Sequence, residues 1–227
     1  MNSINNLNIK ENATILLISN MNTEPSKHNI QSKKEMLYNI LKNSKIKCKI
    51  KIVSIEATKE FNEMLLANYD CIIYDLLDYG NEITINEGQI KGIDNYIKNG
   101  GSIIVTHDHP FFGFFDILGL TYTKDKARCY TEVINVSFDH EIWTSYFNLE
   151  NLKIIKVNTH SGCKIENFNE TKQLMHSYDN YNDLYLSVRH IGMGKAIFWN
   201  AGHSPDLTED EKKLYLNIVA FALKDDS

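Results

Sequence analysis

Proline is scarce, with three residues in 227, and no Pro-rich linker, internal repeat or long charge block interrupts the chain. Nothing therefore marks a domain seam, and residues 1–227 read as a single domain. Cysteine is also sparse. Cys48, Cys71, Cys129 and Cys163 stand far apart with no C-x-x-C pair, which argues against a disulfide framework or a zinc ribbon and fits reduced thiols in a cytoplasmic protein. A basic excess is missing too: Lys plus Arg total 24 against 29 for Asp plus Glu, a formal charge of −5. Without an electrostatic footprint for a phosphate backbone, nucleic acid is not an expected partner. No apolar run approaches the roughly 18 residues that a membrane-spanning helix needs, and the first 13 residues are polar and Asn-rich. Neither a secretion signal nor a membrane anchor is expected.

What is present is a large core and a regular alternation of patterns. At this length roughly three-quarters of the unfolded surface can be buried, so neither metal nor disulfide is required to hold the fold. Residues 13–19 (ATILLIS) form a short, continuous, β-rich apolar run, as expected of a central parallel strand. Ser32-Lys-Lys-Glu35 has capping-box spacing, with Met36, Leu37, Ile40 and Leu41 following at helical intervals. Residues 47–55 alternate Lys with apolar residues, the mark of a strand near a sheet edge. Phe61, Met64, Leu65 and Tyr69 trace a helical stripe, and residues 70–77 (DCIIYDLL) a buried strand. A helix over residues 84–99 carries Ile90, Ile93, Tyr96 and Ile97 on one face and closes at Gly100-Gly101, before a strand at residues 102–106.

Alternating strand and helix implies right-handed crossovers, and so a three-layer α/β fold: a mostly parallel sheet with helices on both faces. Residues 110–183 fit that rhythm poorly and read as a short helix followed by a strand-rich insertion. Residues 185–189 and 195–200 flank Gly192-Met-Gly194 as an antiparallel pair, and Thr208-Glu-Asp-Glu211 caps a long apolar C-terminal helix.

In an open parallel sheet, ligands bind beyond the carboxyl ends of the strands. The residues that this topology delivers there are Asn20 and His28, Asp75 and Asp78, His107-Asp108-His109, and His203 with Asp206. His107 and His109, alternate residues past a strand end, form a candidate divalent-metal pair that His203 or His28 would have to complete. The other reading has one histidine facing the pocket and its neighbour capping backbone. His203 held by Asp206 is a candidate general base, against a histidine that ties strand to loop. Asp75 is the better acid/base candidate of its pair, since Asp78 precedes Gly80 as a turn residue. Phe111, Phe112, Phe114 and Phe115 read as core ahead of a ligand wall, Cys71 as a packed strand residue, and His190 as lying at the wrong end of the sheet.

Three stretches resemble the trehalose-utilisation (ThuA-like) family of the class I glutamine amidotransferase-like superfamily: residues 15–30 (ILLISNMNTEPSKHNI), the run from Tyr69 through GGSIIVTH to His107, and residues 192–203 (GMGKAIFWNAGH). Asp139-His140 looks like a family His after the middle strand. The resemblance implies a flavodoxin-like or amidotransferase-like fold and a tie to carbohydrate utilisation, with hydrolase chemistry as the enzyme class. In the amidotransferase relatives the turn after the fourth strand holds a Cys nucleophile and a His-x-acid pair follows the last strand. Here the turn holds His107, and the pair looks like His203 with Asp206, displaced by one position. Glutaminase activity is therefore not expected.

Two readings follow. One is an enzyme acting on a sugar or related polar metabolite, with His107, His203, Asp75 and Asp206 as catalytic groups and His28, Asn20, Asp108 and His109 as ligand-binding ones. The other is a binding or scaffold module that kept the fold without the nucleophile. A homo-oligomer is compatible with both.

Overall fold

The computed structural model describes residues 9–19, 33–54, 63–75, 86–106, 114–122, 129–158, 165–179, 181–201 and 206–224. The first strand, β1 (Ala13–Ser19), is almost wholly buried on both sides, as a continuous apolar run requires of a central strand. It pairs in parallel with β2 (Cys48–Ser54) on one side and β3 (Cys71–Asp75) on the other. Beyond β3 come β4 (Ser102–Val105) and then β11 (Gly194–Trp199), both parallel. The lysines of β2 alternate outward, and β2 forms the edge of the sheet, as its pattern predicts.

The helices divide between the two faces. On one, α1 (Lys34–Lys42) and the C-terminal α5 (Glu209–Ala222) bury Leu37, Leu41, Leu214 and Ile218 against Ile15, Leu17 and Ile73. On the other, α3 (Glu87–Lys98) and α4 (Phe114–Leu118) bury Ile93, Ile97 and Phe114 against Leu16, Ile72 and Ile103. Phe114 packs on Tyr74 with ring centroids 4.6 Å apart, and Phe114 and Phe115 belong to the core, while Phe111 and Phe112 lie outside the described residues. The intervening α2 (Glu63–Leu66) corrects the expected stripe: Met64 and Leu65 are 82% and 44% exposed, and Leu66 is the residue that is buried. Four residues make barely one turn, too few for a stripe to develop.

The expectation of a mostly parallel sheet is corrected as well. Four antiparallel pairings follow the four parallel ones, because β10 (Leu184–Ile191), β9 (Thr171–Ser177), β6 (Glu132–Asn135) and β7 (Ile154–Lys156) extend the same sheet past β11. Its nine strands run β2-β1-β3-β4-β11-β10-β9-β6-β7. The strand-rich insertion is thus largely an extension of the main sheet. A separate two-stranded sheet joins β5 (Leu120–Tyr122) to β8 (Ile165–Phe168). Asn217 of α5 ties the extension down: its side chain accepts from Phe147 N at 2.7 Å and donates to the carbonyls of Ile142 and Phe147 at 2.7 and 3.0 Å.

Thr208 with Glu211 opens α5 as its capping-box spacing predicts, and Asn86 with Gln89 opens α3, two residues later than the expected start, each pair exchanging side-chain and backbone hydrogen bonds. At the start of α1, Lys33 already has a helical backbone; the Ser32…Glu35 box expected there involves Ser32, which lies outside the described residues.

Candidate functional site

Strand order reverses at β1: the crossover through α1 leads to β2 on one side, and β3 lies on the other. In doubly wound sheets the crevice at such a reversal is the favoured ligand position. Ser19 and Asp75, the last residues of β1 and β3, are paired in register there, and both are fully buried.

Asp75 is the centre of the arrangement. Its Oδ1 accepts from Thr106 Oγ1 at 2.9 Å, just beyond β4, and the backbone N–H of Lys33 at the start of α1 helps to hold its carboxyl down. Its Oδ2 is buried, with no hydrogen-bond partner among the described residues. Burial pushes the Asp75 carboxyl up, against the opposing pull of the Lys33 charge, the Thr106 hydroxyl and the Lys33 N–H.

Lys33 is itself completely buried. Loss of hydration lowers its ammonium to about 8, against the raising influence of Asp75 and then Glu211. Glu211, also fully buried, is held by Thr208 N at 2.8 Å, Asn158 N at 3.2 Å and the Tyr185 hydroxyl at 3.1 Å. Burial raises its carboxyl as well. Asp75, Lys33 and Glu211 are thus three buried titratable groups by the end of β3 and the starts of α1 and α5, and the charges of the two acids act to raise the Lys33 ammonium against its burial.

Of the catalytic, ligand-binding and metal candidates read from the sequence, Asp75 and Asp206 are described. Asp206 lies at the same edge, just before α5; it is exposed, and its main-chain carbonyl accepts from Asn158 Nδ2 at 3.1 Å. The acid whose charge couples to Lys33 alongside Asp75 is Glu211. Asn20, His28, Asp78, His107, Asp108, His109 and His203 lie outside the described residues, so the proposed metal pair and the His203–Asp206 pair do too. Among the described residues no group of three or more His, Cys, Asp or Glu is arranged to hold a metal ion.

Two further histidines are placed away from the site. His140 accepts from Ile142 N through Nδ1 at 3.2 Å. With His190 it flanks Phe221 near the end of α5, at the N-terminal edge beside Lys195. His190 is thus where the sequence placed it, and His140 is a turn cap whose imidazole burial holds down to about 4. Cys71 is buried in β3, with its thiol pushed well above the ordinary range by burial. It is core, as its strand position implies.

Sequence reasoning missed Lys33, Thr106, Glu211 and Tyr185. Lys33 and Glu211 both stood inside capping-box patterns, which account for helix starts and conceal a second role. No local periodicity distinguishes a lysine that points inward from one in a solvated turn.

No family model and no curated protein matches the chain. Solved structures do. A cytoplasmic protein from Salmonella typhimurium LT2 aligns over 93% of this chain and 100% of its own, at 13% identity and a TM-score of 0.65. A protein described as ThuA-like from Bacteroides uniformis aligns over 93% of this chain and 91% of its own, at 15% identity and a TM-score of 0.61. A β-galactosidase from Bacillus circulans matches 94% of this chain with 31% of its own, at 12% identity and a TM-score of 0.62. The likeness is one of fold. It supports a ThuA-like fold, and leaves the chemistry to the site. Among the described residues no helix is long and apolar enough to cross a membrane.

Proposed function

We propose that this ThuA-like domain takes a sugar or a related small polar metabolite at the C-terminal edge of its sheet, in the cytoplasm and without glutaminase activity. The observation that carries the reading is Asp75: a fully buried carboxylate at the strand-order reversal, with one oxygen fixed by Thr106 and the other without a donor among the described residues. Such an acceptor suits a ligand hydroxyl, because a buried carboxylate oxygen left unmade is costly and a fixed partner oxygen orients the open one. In this reading His107 and His203, with Asp75 and Asp206, are the proton-transfer groups. Asn20, His28, Asp108 and His109 line the site, and His107, His109 and His203 would hold a divalent metal. The Salmonella neighbour's description as cytoplasmic supports the compartment, and the formal charge of −5 supports a small-molecule partner over nucleic acid.

The test is binding by thermal shift and titration calorimetry against neutral mono- and disaccharides. Wild type should be stabilised by at least one sugar, and Asp75→Asn should lose the effect while keeping a native circular dichroism spectrum. A shift that survives in Asp75→Asn, or none with any sugar, would sink the reading. Ammonia release from glutamine should stay at the background rate, since the one cysteine of the central strands described, Cys71, is a buried thiol. Release abolished by replacing a cysteine would contradict this. A second reading, binding without turnover, draws on the same missing thiolate and on the likeness to a 31% portion of a β-galactosidase chain. Stable binding with no conversion of the bound sugar would decide for it.

A further inference from the structure

We propose that the edge strand β2 is a docking site for an extended acidic segment of a partner protein, which adds to the sheet as a further strand and carries acidic side chains alternating with apolar ones.

Residues 36–55 hold five lysines, Lys42, Lys45, Lys47, Lys49 and Lys51, and no Asp, Glu, Arg or His, in a chain whose formal charge is −5. The last three lie in β2 or just before it, and all three are exposed. Register with β1 fixes their face. Lys49 stands beside Thr14 and Lys51 beside Leu16, and Leu16 packs in the cluster beneath α3 and α4. Cys48, Ile50 and Ile52 stand beside Ala13, Ile15 and Leu17 on the opposite face, half-buried against the core that α1 and α5 cover. Among the described residues no ion pair engages Lys45, Lys47, Lys49 or Lys51, and β2 pairs with β1 alone. The edge therefore combines backbone groups that have no strand partner there, a row of cations on one face and an incompletely covered apolar row on the other.

A strand laid along such an edge places its side chains on alternate faces, about 7 Å apart on each. Those beside Lys47, Lys49 and Lys51 meet positive charge, and those beside Ile50 and Ile52 meet apolar surface. The complementary segment thus alternates Asp or Glu with apolar residues, the pattern in which main-chain hydrogen bonds give affinity and alternate side chains give specificity. Lysine on an edge strand ordinarily guards against self-association. Here the guard is selective: a second copy of β2 would set lysine against lysine, whereas an acidic strand turns the same side chains into contacts. A phosphate backbone would use the charges and leave the ladder groups and the apolar row unmet, and the guanidinium fork that suits phosphate is missing from residues 36–55.

The experiment titrates the isotope-labelled 227-residue chain with a blocked heptapeptide, Glu-Val-Glu-Val-Glu-Val-Glu, followed by backbone amide resonances and hydrogen exchange. Two controls accompany it: an isomer with its four Glu placed before its three Val, and a counterpart with Lys in place of Glu. The alternating acidic peptide should shift and protect amides of residues 48–53, bind about tenfold more tightly than the block isomer, and weaken about tenfold between about 50 and about 500 mM salt. Lys47→Glu/Lys49→Glu/Lys51→Glu should reverse the preference in favour of the Lys peptide. Should that variant not fold, Lys49→Gln, a single change at an exposed position, should weaken the acidic peptide with unchanged circular dichroism. Equal binding of the block isomer, binding that survives the charge reversal or is untouched by Lys49→Gln, or shifts centred away from β2 would overturn the proposal. So would the absence of binding. A heparin fragment or a DNA duplex that binds residues 42–51 more tightly than the alternating peptide would overturn it in favour of a general polyanion surface.

Discussion

Lys33→Met separates a paired buried charge from a merely buried side chain, and its effect on stability is set by Asp75. Methionine fills much of the same space, so the main loss is the ammonium that opposes the burial of Asp75. Without it the carboxylate avoids an uncompensated charge by taking a proton. Relative to an unfolded carboxyl at the reference value of 3.8, that proton costs up to about 4 kcal/mol at pH 7 and under about 2 kcal/mol at pH 5. The penalty of Lys33→Met should therefore shrink by about 2–3 kcal/mol as pH falls from 7 to 5. Lys33→Met/Asp75→Asn, which removes both charges, should be much less destabilised than the sum of the single variants. Wild type has its own signature at high pH. Lys33 is lowered from 10.5 to about 8, so between those values the unfolded chain binds more protons, and wild-type stability should rise with pH there by up to about 3 kcal/mol. Lys33→Met should lack that rise. Urea unfolding midpoints at pH 5, 7 and 9.5 measure all three effects. A Lys33→Met penalty independent of pH, or additive with that of Asp75→Asn, would refute the coupling.

Two further outcomes test the frame around the site. His140, lowered from 6.5 to about 4 chiefly by burial, binds a proton more readily in the unfolded chain. Wild type should therefore lose stability as pH falls from 6.5 to 4, by about 1–2 kcal/mol after allowance for partial exposure. His140→Asn, which keeps an acceptor for Ile142 N and does not titrate, should not show that loss; an identical acid profile in both proteins would discard the assignment. Asn217→Ala leaves the backbone groups of Ile142 and Phe147 without their buried partner and should cost about 2–4 kcal/mol in urea unfolding. A loss under about 1 kcal/mol would mean that the extension does not depend on this anchor.

The sequence by itself determined the elements and much of their packing. Residues 13–19 and 102–105 are strands because short β-rich apolar runs suit burial on both faces, and the alternating lysines of Cys48–Ser54 mark the edge strand that it is. Thr208…Glu211 and Asn86…Gln89 start their helices through local hydrogen bonds, and local signals of that kind need no knowledge of distant residues. Asp75 was legible as a carboxylate at a strand end. Tertiary structure decided the rest. Whether β6, β7 and β9 form a domain of their own or lengthen the main sheet depends on which edge their backbone groups find, and that is not encoded in a period of two. That Lys33 and Asp75, 42 positions apart in the chain, act on one another's charge is likewise decided in space. Lys33 came under the charge of both Asp75 and Glu211 only when the sheet brought the starts of α1 and α5 to one edge, because the energy of a buried charge depends on what surrounds it in space.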